Sequence, residues 1–144
     1  MNIEEVCELS DALLLALRQL TAELAPSAPP LSRERLQEIV SSDCCRLLVA
    51  TQPAGEIAGM LILTTYAIAS GRRSWIEDVV VASAARGQGI GEALVRRAVE
   101  LARAAGAEAV DLTSRPSREA ANRLYLRLGF QRRETNVYRI ELGR

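Results

Sequence analysis

Apolar residues follow two periods along this chain. Leu13, Leu14, Leu17, Leu20 and Leu24 recur at helical spacing, and Ser10 or Asp11 can cap the helix they define. Ala25-Pro26-Ser27-Ala28-Pro29-Pro30 ends that helix, because proline removes a backbone donor and holds its predecessor extended. Ser32 caps a second helix, with Leu36, Ile39 and Val40 on one face. Arg35 stands where a complete capping box carries Glu or Gln. Then the period shortens. Arg46–Thr51 and Glu56–Tyr66 read as an antiparallel hairpin about the turn Gln52-Pro53-Ala54-Gly55. Gly71-Arg72-Arg73 turns the chain again, and Ser74–Val81 returns as the central strand.

Ile90, Leu94, Ala98, Leu101 and Ala105 restore the helical period, while Arg96, Arg97, Glu100 and Arg103 stay in water; Gly106 stops this helix. Ala109–Thr113 is a short strand. A strand, a helix and a strand in that order imply a parallel pair with a right-handed crossover. A last helix starts near Ser117 and ends at Gly129. Phe130–Arg133 and Val137–Glu141 are then expected to form a hairpin about Glu134-Thr135-Asn136. The element order is ααββ followed by βαβαββ. It predicts an α/β fold with a mixed sheet, antiparallel early and parallel at the centre, flanked by helices. Residues 1–144 are expected to form one domain, by length alone.

Composition narrows the chemistry. The hydrophobic fraction is 49%, the charged fraction 25% and the formal net charge zero, so no electrostatic argument favours nucleic acid or an anionic membrane. The chain has no histidine, and all its basic residues are arginines. Lysine Schiff bases, histidine bases and histidine metal sites are thereby excluded, and no metal is expected. Cys7, Cys44 and Cys45 are odd in number, lack metal-site spacing and follow no signal peptide, so a reducing cytoplasm is the expected compartment. No apolar run approaches the roughly 20 residues of a membrane span.

The chemistry gathers where the central strand meets the next helix. Val79-Val80-Val81 suit a strand covered on both faces. Arg86-Gly87-Gln88-Gly89-Ile90-Gly91 follows, with three glycines whose backbone N–H groups no Cβ covers. The helix start adds unpaired N–H groups and a partial positive charge. Together these make a pyrophosphate cradle. A Walker loop would end in Gly-Lys-Ser/Thr, and the chain has no lysine; a dinucleotide loop has G-x-G-x-x-G, whereas Glu92 stands at the third glycine position.

The motif that fits is R-x-x-G-x-G, which resembles the acetyl-CoA pyrophosphate loop of the GNAT superfamily of acyl-CoA N-acyltransferases. A second block, Ala121-Asn122-Arg123-Leu124-Tyr125-Leu126-Arg127-Leu128-Gly129-Phe130, is similar to that family's A-x-x-L-Y-x-x-x-G-F signature. The element order resembles the GNAT fold over almost the whole chain.

The resemblance implies an acetyl-CoA-dependent N-acetyltransferase that moves an acetyl group to a primary amine of a small molecule or protein, directly, in a ternary complex. The backbone of Gly87, Gln88, Gly89 and Gly91, with Arg86 beside it, would hold the pyrophosphate. The pantetheine arm would pair with Val79, Val80 and Val81, with the N–H of Val80 or Val81 directed at the thioester oxygen. Tyr125 would protonate the leaving thiolate, and Asn122, one turn earlier on the same face, would contact the cofactor. A carboxylate on the central strand would take the amine proton. Alternation sends Glu77 and Asp78 to opposite faces, and Glu77 is chosen because it shares the phase of Val79 and Val81, a phase that a bulge would reverse. The resemblance assigns acceptor recognition to Ala25–Leu31 and to the final hairpin around Arg132–Asn136. A homodimer built on strand edges would cover an open edge. A non-catalytic acyl-CoA sensor or scaffold would keep the same loop; Tyr125 and the strand carboxylates favour catalysis.

Overall fold

The computed structural model describes residues 1–143. It divides into two compact units, Met1–Thr113 and the segment from Ser114 onward. The first holds a five-stranded sheet in the order β1-β2-β3-β4-β5. Its elements are β1 (Asn2–Glu5), α1 (Asp11–Leu24), α2 (Arg33–Ser41), β2 (Cys45–Thr51), β3 (Ile57–Ile68), β4 (Gly71–Val81), α3 (Ile90–Ala104) and β5 (Val110–Asp111). Strands β1 to β4 pair antiparallel and β5 joins β4 in parallel, which is the mixed sheet that the element order predicts.

The helix ends follow the sequence. Ser10 Oγ accepts from Leu13 N at 3.1 Å to cap α1, and Ser32 Oγ accepts from Arg35 N at 3.0 Å to cap α2. Arg35 leaves the capping box unfilled and pairs with Glu38 at 2.6 Å. At the end of α3, Gly106 takes φ +82°. Its N–H reaches Arg103 O at 3.0 Å and that of Ala107 reaches Ala102 O at 3.0 Å, so the expected glycine stop is a Schellman cap.

Each face of the sheet has its own core. Leu47, Val49, Met60, Ile62 and Val80 pack against Leu13, Leu14, Leu17 and Leu20 of α1 and Leu36 of α2. The alternate residues of the strands, among them Leu48, Leu61, Leu63 and Ile76, face the side that α3 covers with Ile90, Leu94 and Val95. Gly59 marks that contact: a Cβ there would lie 3.0 Å from Ile90 Cγ2 and 3.1 Å from Leu94 Cδ1.

Two expectations change. The sequence reading omits β1, which pairs Asn2–Glu5 with Thr51–Leu48. With one apolar residue in Asn-Ile-Glu-Glu it carries no strand pattern, and only ladder pairing to β2 defines it. The expected final hairpin, Phe130–Arg133 with Val137–Glu141, is absent; after α4 (Glu119–Arg127) the described chain has no strand. Val137, Tyr138, Ile140 and Leu142 are exposed there. Tyr138, Ile140 and Leu142 do alternate like a strand, but in the other arm Phe130 packs on Tyr125 and Gln131, Arg132 and Arg133 are polar, and an isolated hairpin is marginal in water.

Candidate active site

The glycine loop lies at the C-terminal end of β4. Ser83–Ala85 makes one 3-10 turn, and Arg86–Gly89 then loops into α3. Gly87 and Gly89 adopt φ +78° and +79°, a left-handed geometry that glycine enters without penalty. A Cβ on either would meet nothing within 4 Å, so the loop is open on the side where an anion would approach. Among the described residues, no inter-element backbone hydrogen bond uses the N–H of Gly87, Gln88, Gly89 or Gly91. Gly89 caps α3 without a side-chain acceptor, which leaves the first-turn donors facing outward. The donor set fits a pyrophosphate.

Side chains brace this loop from two directions. Glu23 Oε2, in the last turn of α1, accepts from Ser83 N at 3.1 Å and Ser83 Oγ at 2.7 Å. It also lies 3.6 Å from Arg86 Nη2. Arg86 Nε donates to Val81 O at 3.4 Å. From the β2–β3 turn, Gln52 Nε2 donates to Gln88 Oε1 at 3.1 Å. Arg86 thus has two protein contacts beside the loop.

Strand β4 parts from β5 on the way to the loop. The parallel pairing covers Ser74 with Val110 and Trp75 with Asp111, so the ladder with β5 ends before the stretch that leads to the loop. On the inner edge, Ala82 N bonds to Ala58 O at 2.8 Å. Antiparallel alternation then turns Val80, opposite Met60, toward β3 and turns Val81, opposite Gly59, outward. The Val81 carbonyl confirms this by accepting from Arg86. Of the two amides considered for the thioester oxygen, Val81 faces the open edge.

A bulge interrupts β4 between these residues and the carboxylates. Glu77 opposes Ile62 and Val80 opposes Met60, which leaves Asp78 and Val79 against Leu61 alone. Asp78 takes φ 53°, the one positive φ outside glycine among the described residues. The bulge reverses the phase. Glu77 shares a face with Val80, on the α1 and α2 side, and Val81 lies on the α3 side with Gly59. The shared phase expected for Glu77, Val79 and Val81 is therefore corrected: Glu77 and Val81 point to opposite faces. Asp78 is solvent-accessible, yet surrounding protein displaces enough water to raise its carboxyl above the usual carboxylate value.

The face carrying Glu77 holds a row that sequence reasoning missed. Cys45 opposes Thr64, Thr64 opposes Trp75, and Trp75 opposes Asp111, with Tyr66 and Arg73 one step along. Arg73 Nε lies 3.7 Å from Asp111 Oδ2. The signal was available in the alternation Arg73, Trp75, Glu77, which places the chain's one tryptophan on a strand face between charged residues.

In the second unit, α4 carries the other block. Asn122 Nδ2 donates to Arg115 O at 3.0 Å and so holds the turn that precedes the helix. Tyr125 is buried, and its phenol is raised above its ordinary value by loss of water, an effect that the positive charge of Arg118 partly offsets. Gly129, at φ +98°, closes a Schellman cap: its N–H reaches Leu126 O at 3.1 Å and that of Phe130 reaches Tyr125 O at 3.0 Å. The Phe130 ring meets Tyr125 edge-on with centroids 5.8 Å apart. The glycine and phenylalanine of the second motif thus fix the tyrosine. Arg132–Asn136 lines an open concavity formed by its own curl.

The acetyltransferase (GNAT) family profile matches residues 14–130. Glucosamine 6-phosphate N-acetyltransferase 1 of Oryza sativa subsp. japonica is 36% identical over 121 residues, covering 78% of this chain and 70% of that protein. Aminoalkylphosphonate N-acetyltransferase of Salmonella typhimurium is 39% identical over 80 residues, 54% of this chain and 51% of its own. The crystal structure of an acetyltransferase from Trypanosoma brucei superposes with a TM-score of 0.79 at 30% identity, covering 98% of this chain and all (100%) of the other. The open glycine loop, the mixed sheet and the Tyr-x-x-x-Gly-Phe cap occur together because the chain belongs to the acetyltransferase (GNAT) family, as an N-acetyltransferase.

Proposed function

We propose that the protein is an acetyl-CoA-dependent N-acetyltransferase that transfers the acetyl group directly to a small primary amine in a ternary complex. The observation that carries this is the open, donor-rich loop at the end of β4, where the strand leaves β5. In this reading, Gly87, Gln88, Gly89 and Gly91 hold the pyrophosphate, and the arm follows the free edge past Val79–Val81. Acetyl-CoA supplies the activated acyl thioester.

The residues divide the proton work. Glu77 takes the proton from the acceptor ammonium through bridging water, so that the amine nitrogen can bond to the acyl carbon. The Val81 N–H is directed at the carbonyl oxygen, and Tyr125 gives its proton to sulfur as the C–S bond breaks. Burial keeps the phenol protonated through the neutral range, as this role requires. Asp78 is a second reading for the base, favoured by its strained backbone and raised carboxyl. Asn122, through the turn it holds, supports the cofactor side.

For the acceptor, the row of Trp75, Glu77, Asp111 and Arg73 suits a small amine that also carries an anion: an aromatic platform, carboxylates for the ammonium and a guanidinium for the anion. The relatives support this class, since their names specify a phosphorylated amino sugar and an aminoalkylphosphonate. The family match crosses both compact units, which supports reading residues 1–144 as one domain. The free thiols suit the cytoplasm. Exposed apolar residues from Val137 to Leu142 suit a homodimer; sedimentation velocity tests this, and a monomer at all concentrations would refute it.

Calorimetric titration with acetyl-CoA, followed by thiol release across amines that begin with glucosamine 6-phosphate and aminoalkylphosphonates, tests the whole reading. Binding with amine-dependent release supports a transferase. Binding without release on any amine supports a sensor, and no binding rejects the loop assignment.

A further inference from the structure

We propose that Glu23 is a positioning residue for the phosphate loop, fixing its entrance before the cofactor arrives; this rests on reading Arg86–Gly91 as the acetyl-CoA pyrophosphate loop. Glu23 is misplaced by the local rules of its own helix. It sits in the last turn of α1, where backbone carbonyls make the helix end negative and a cation would be favoured, and that turn has no basic residue to offset it. A residue that contradicts its local preference is explained by what it does elsewhere in the fold.

What it does is cap a turn 60 residues away. Ala82, at the start of the 3-10 turn Ser83–Ala85, has no side-chain acceptor of its own. Glu23 supplies one: a single oxygen, Oε2, receives both the backbone N–H and the hydroxyl of Ser83, at 3.1 and 2.7 Å. The same oxygen lies 3.6 Å from Arg86 Nη2, and Arg86 is tethered again through Nε to Val81 O at 3.4 Å. Both ends of Ser83–Arg86 are thus held, and the glycines that follow begin from a fixed point. A loop of this composition is otherwise free to wander, and ordering it on binding would cost affinity; fixing it beforehand removes that cost.

Charge and hydrogen bonding make opposite demands here, which yields a sharp test. A carboxylate beside an anion site repels the anion, and Arg86 screens that repulsion. The two bonds from Ser83 need only an acceptor oxygen, which an amide also provides. Glu23→Gln should therefore keep the strut and lose the repulsion, whereas Glu23→Ala loses the strut. Ser83→Ala should lose the hydroxyl bond alone and keep the backbone one.

Calorimetry with CoA and steady-state kinetics on the full chain decide it. For Glu23→Ala we expect CoA affinity to fall at least about fivefold and KM for acetyl-CoA to rise in parallel, with kcat and acceptor KM within about twofold. Glu23→Gln should bind CoA at least as well as wild type to within about twofold, and Ser83→Ala should fall between the two. Equal affinities in all four proteins would overturn the proposal. So would equal weakening by Gln and Ala, which would assign the effect to charge, or a parallel loss of kcat, both KM values and Tm, which would make Glu23 a general stability residue. Wild-type protein that binds no CoA would overturn the loop assignment itself, and this proposal with it.

Discussion

Gly89 and Gly106 form a matched pair for testing the cradle. Both are left-handed, at φ +79° and +82°, at opposite ends of α3. A Cβ at Gly89 would meet nothing within 4 Å, and one at Gly106 would touch only Arg72 Cδ at 3.8 Å. Alanine at either site therefore pays the left-handed backbone penalty without a clash, about 1–2 kcal/mol. For a chain of this length that lowers Tm by roughly 3–6 °C in each variant. Only Gly89→Ala places its methyl group where a phosphate oxygen must approach the loop amides. Losing one charge-assisted hydrogen bond there costs about 1.5–3 kcal/mol, roughly ten- to a hundredfold in Kd for CoA. Differential scanning fluorimetry and calorimetry on the two variants give both numbers. Equal Tm losses with unchanged CoA affinity in Gly89→Ala would refute the cradle. Equal affinity losses in both variants would show that α3 stability, rather than loop geometry, sets binding.

Tyr125→Phe should cut kcat at least about tenfold while CoA affinity stays within about threefold, since only the proton donor is removed; an unchanged rate ends the acid assignment. Because burial raises the Tyr125 phenol, its stabilising contribution is whole below its unfolded pKa near 10 and is lost as pH rises through the higher folded value. Tm should then fall more steeply above about pH 10 in wild type than in the Phe variant, and superimposed curves would contradict this. Asp78→Gly should raise stability by up to about 1 kcal/mol, as glycine takes φ 53° without strain; a fall in the denaturation midpoint would mean that the Asp78 side chain holds the bulge. Glu77→Gln should lower kcat at least about tenfold and remove the acid limb of the pH–rate profile, and if Asp78→Asn does so instead, the base is Asp78.

The elements legible in the sequence were those that local chemistry dictates. Leu13 to Leu24 write α1, Ser10 and Ser32 write its cap and that of α2, and Gly106 writes the end of α3. The loop was legible because Gly87 and Gly89 are needed one by one. What escaped depends on pairing. Strand β1 exists through its register with β2, and the tail fits a strand pattern but has no ladder. The face on which Glu77 lies turns on whether Leu61 opposes one residue or two, and no side chain in Glu-Asp-Val-Val declares that. Glu23 was invisible as well, since its partner Ser83 lies 60 residues on.

The bulge at Asp78 has a consequence for how β4 tolerates change. Upstream of it, Ile76 is locked into the core beneath α3; downstream, Val80 is locked into the core beneath α1 and α2. The strand is in effect two strands of opposite parity spliced at one residue, each half held by a different helix layer. Deleting Asp78 would leave one residue opposite Leu61 and restore simple alternation with Ile76 and Val80 still in their own layers. Sliding β4 along β3 would disrupt both layers at once. The junction is therefore a point where β4 can lose one residue while both halves keep their faces. Trp75 lies outside the splice, so under the proposed reading a new acceptor preference could arise by its substitution without moving either half of the strand.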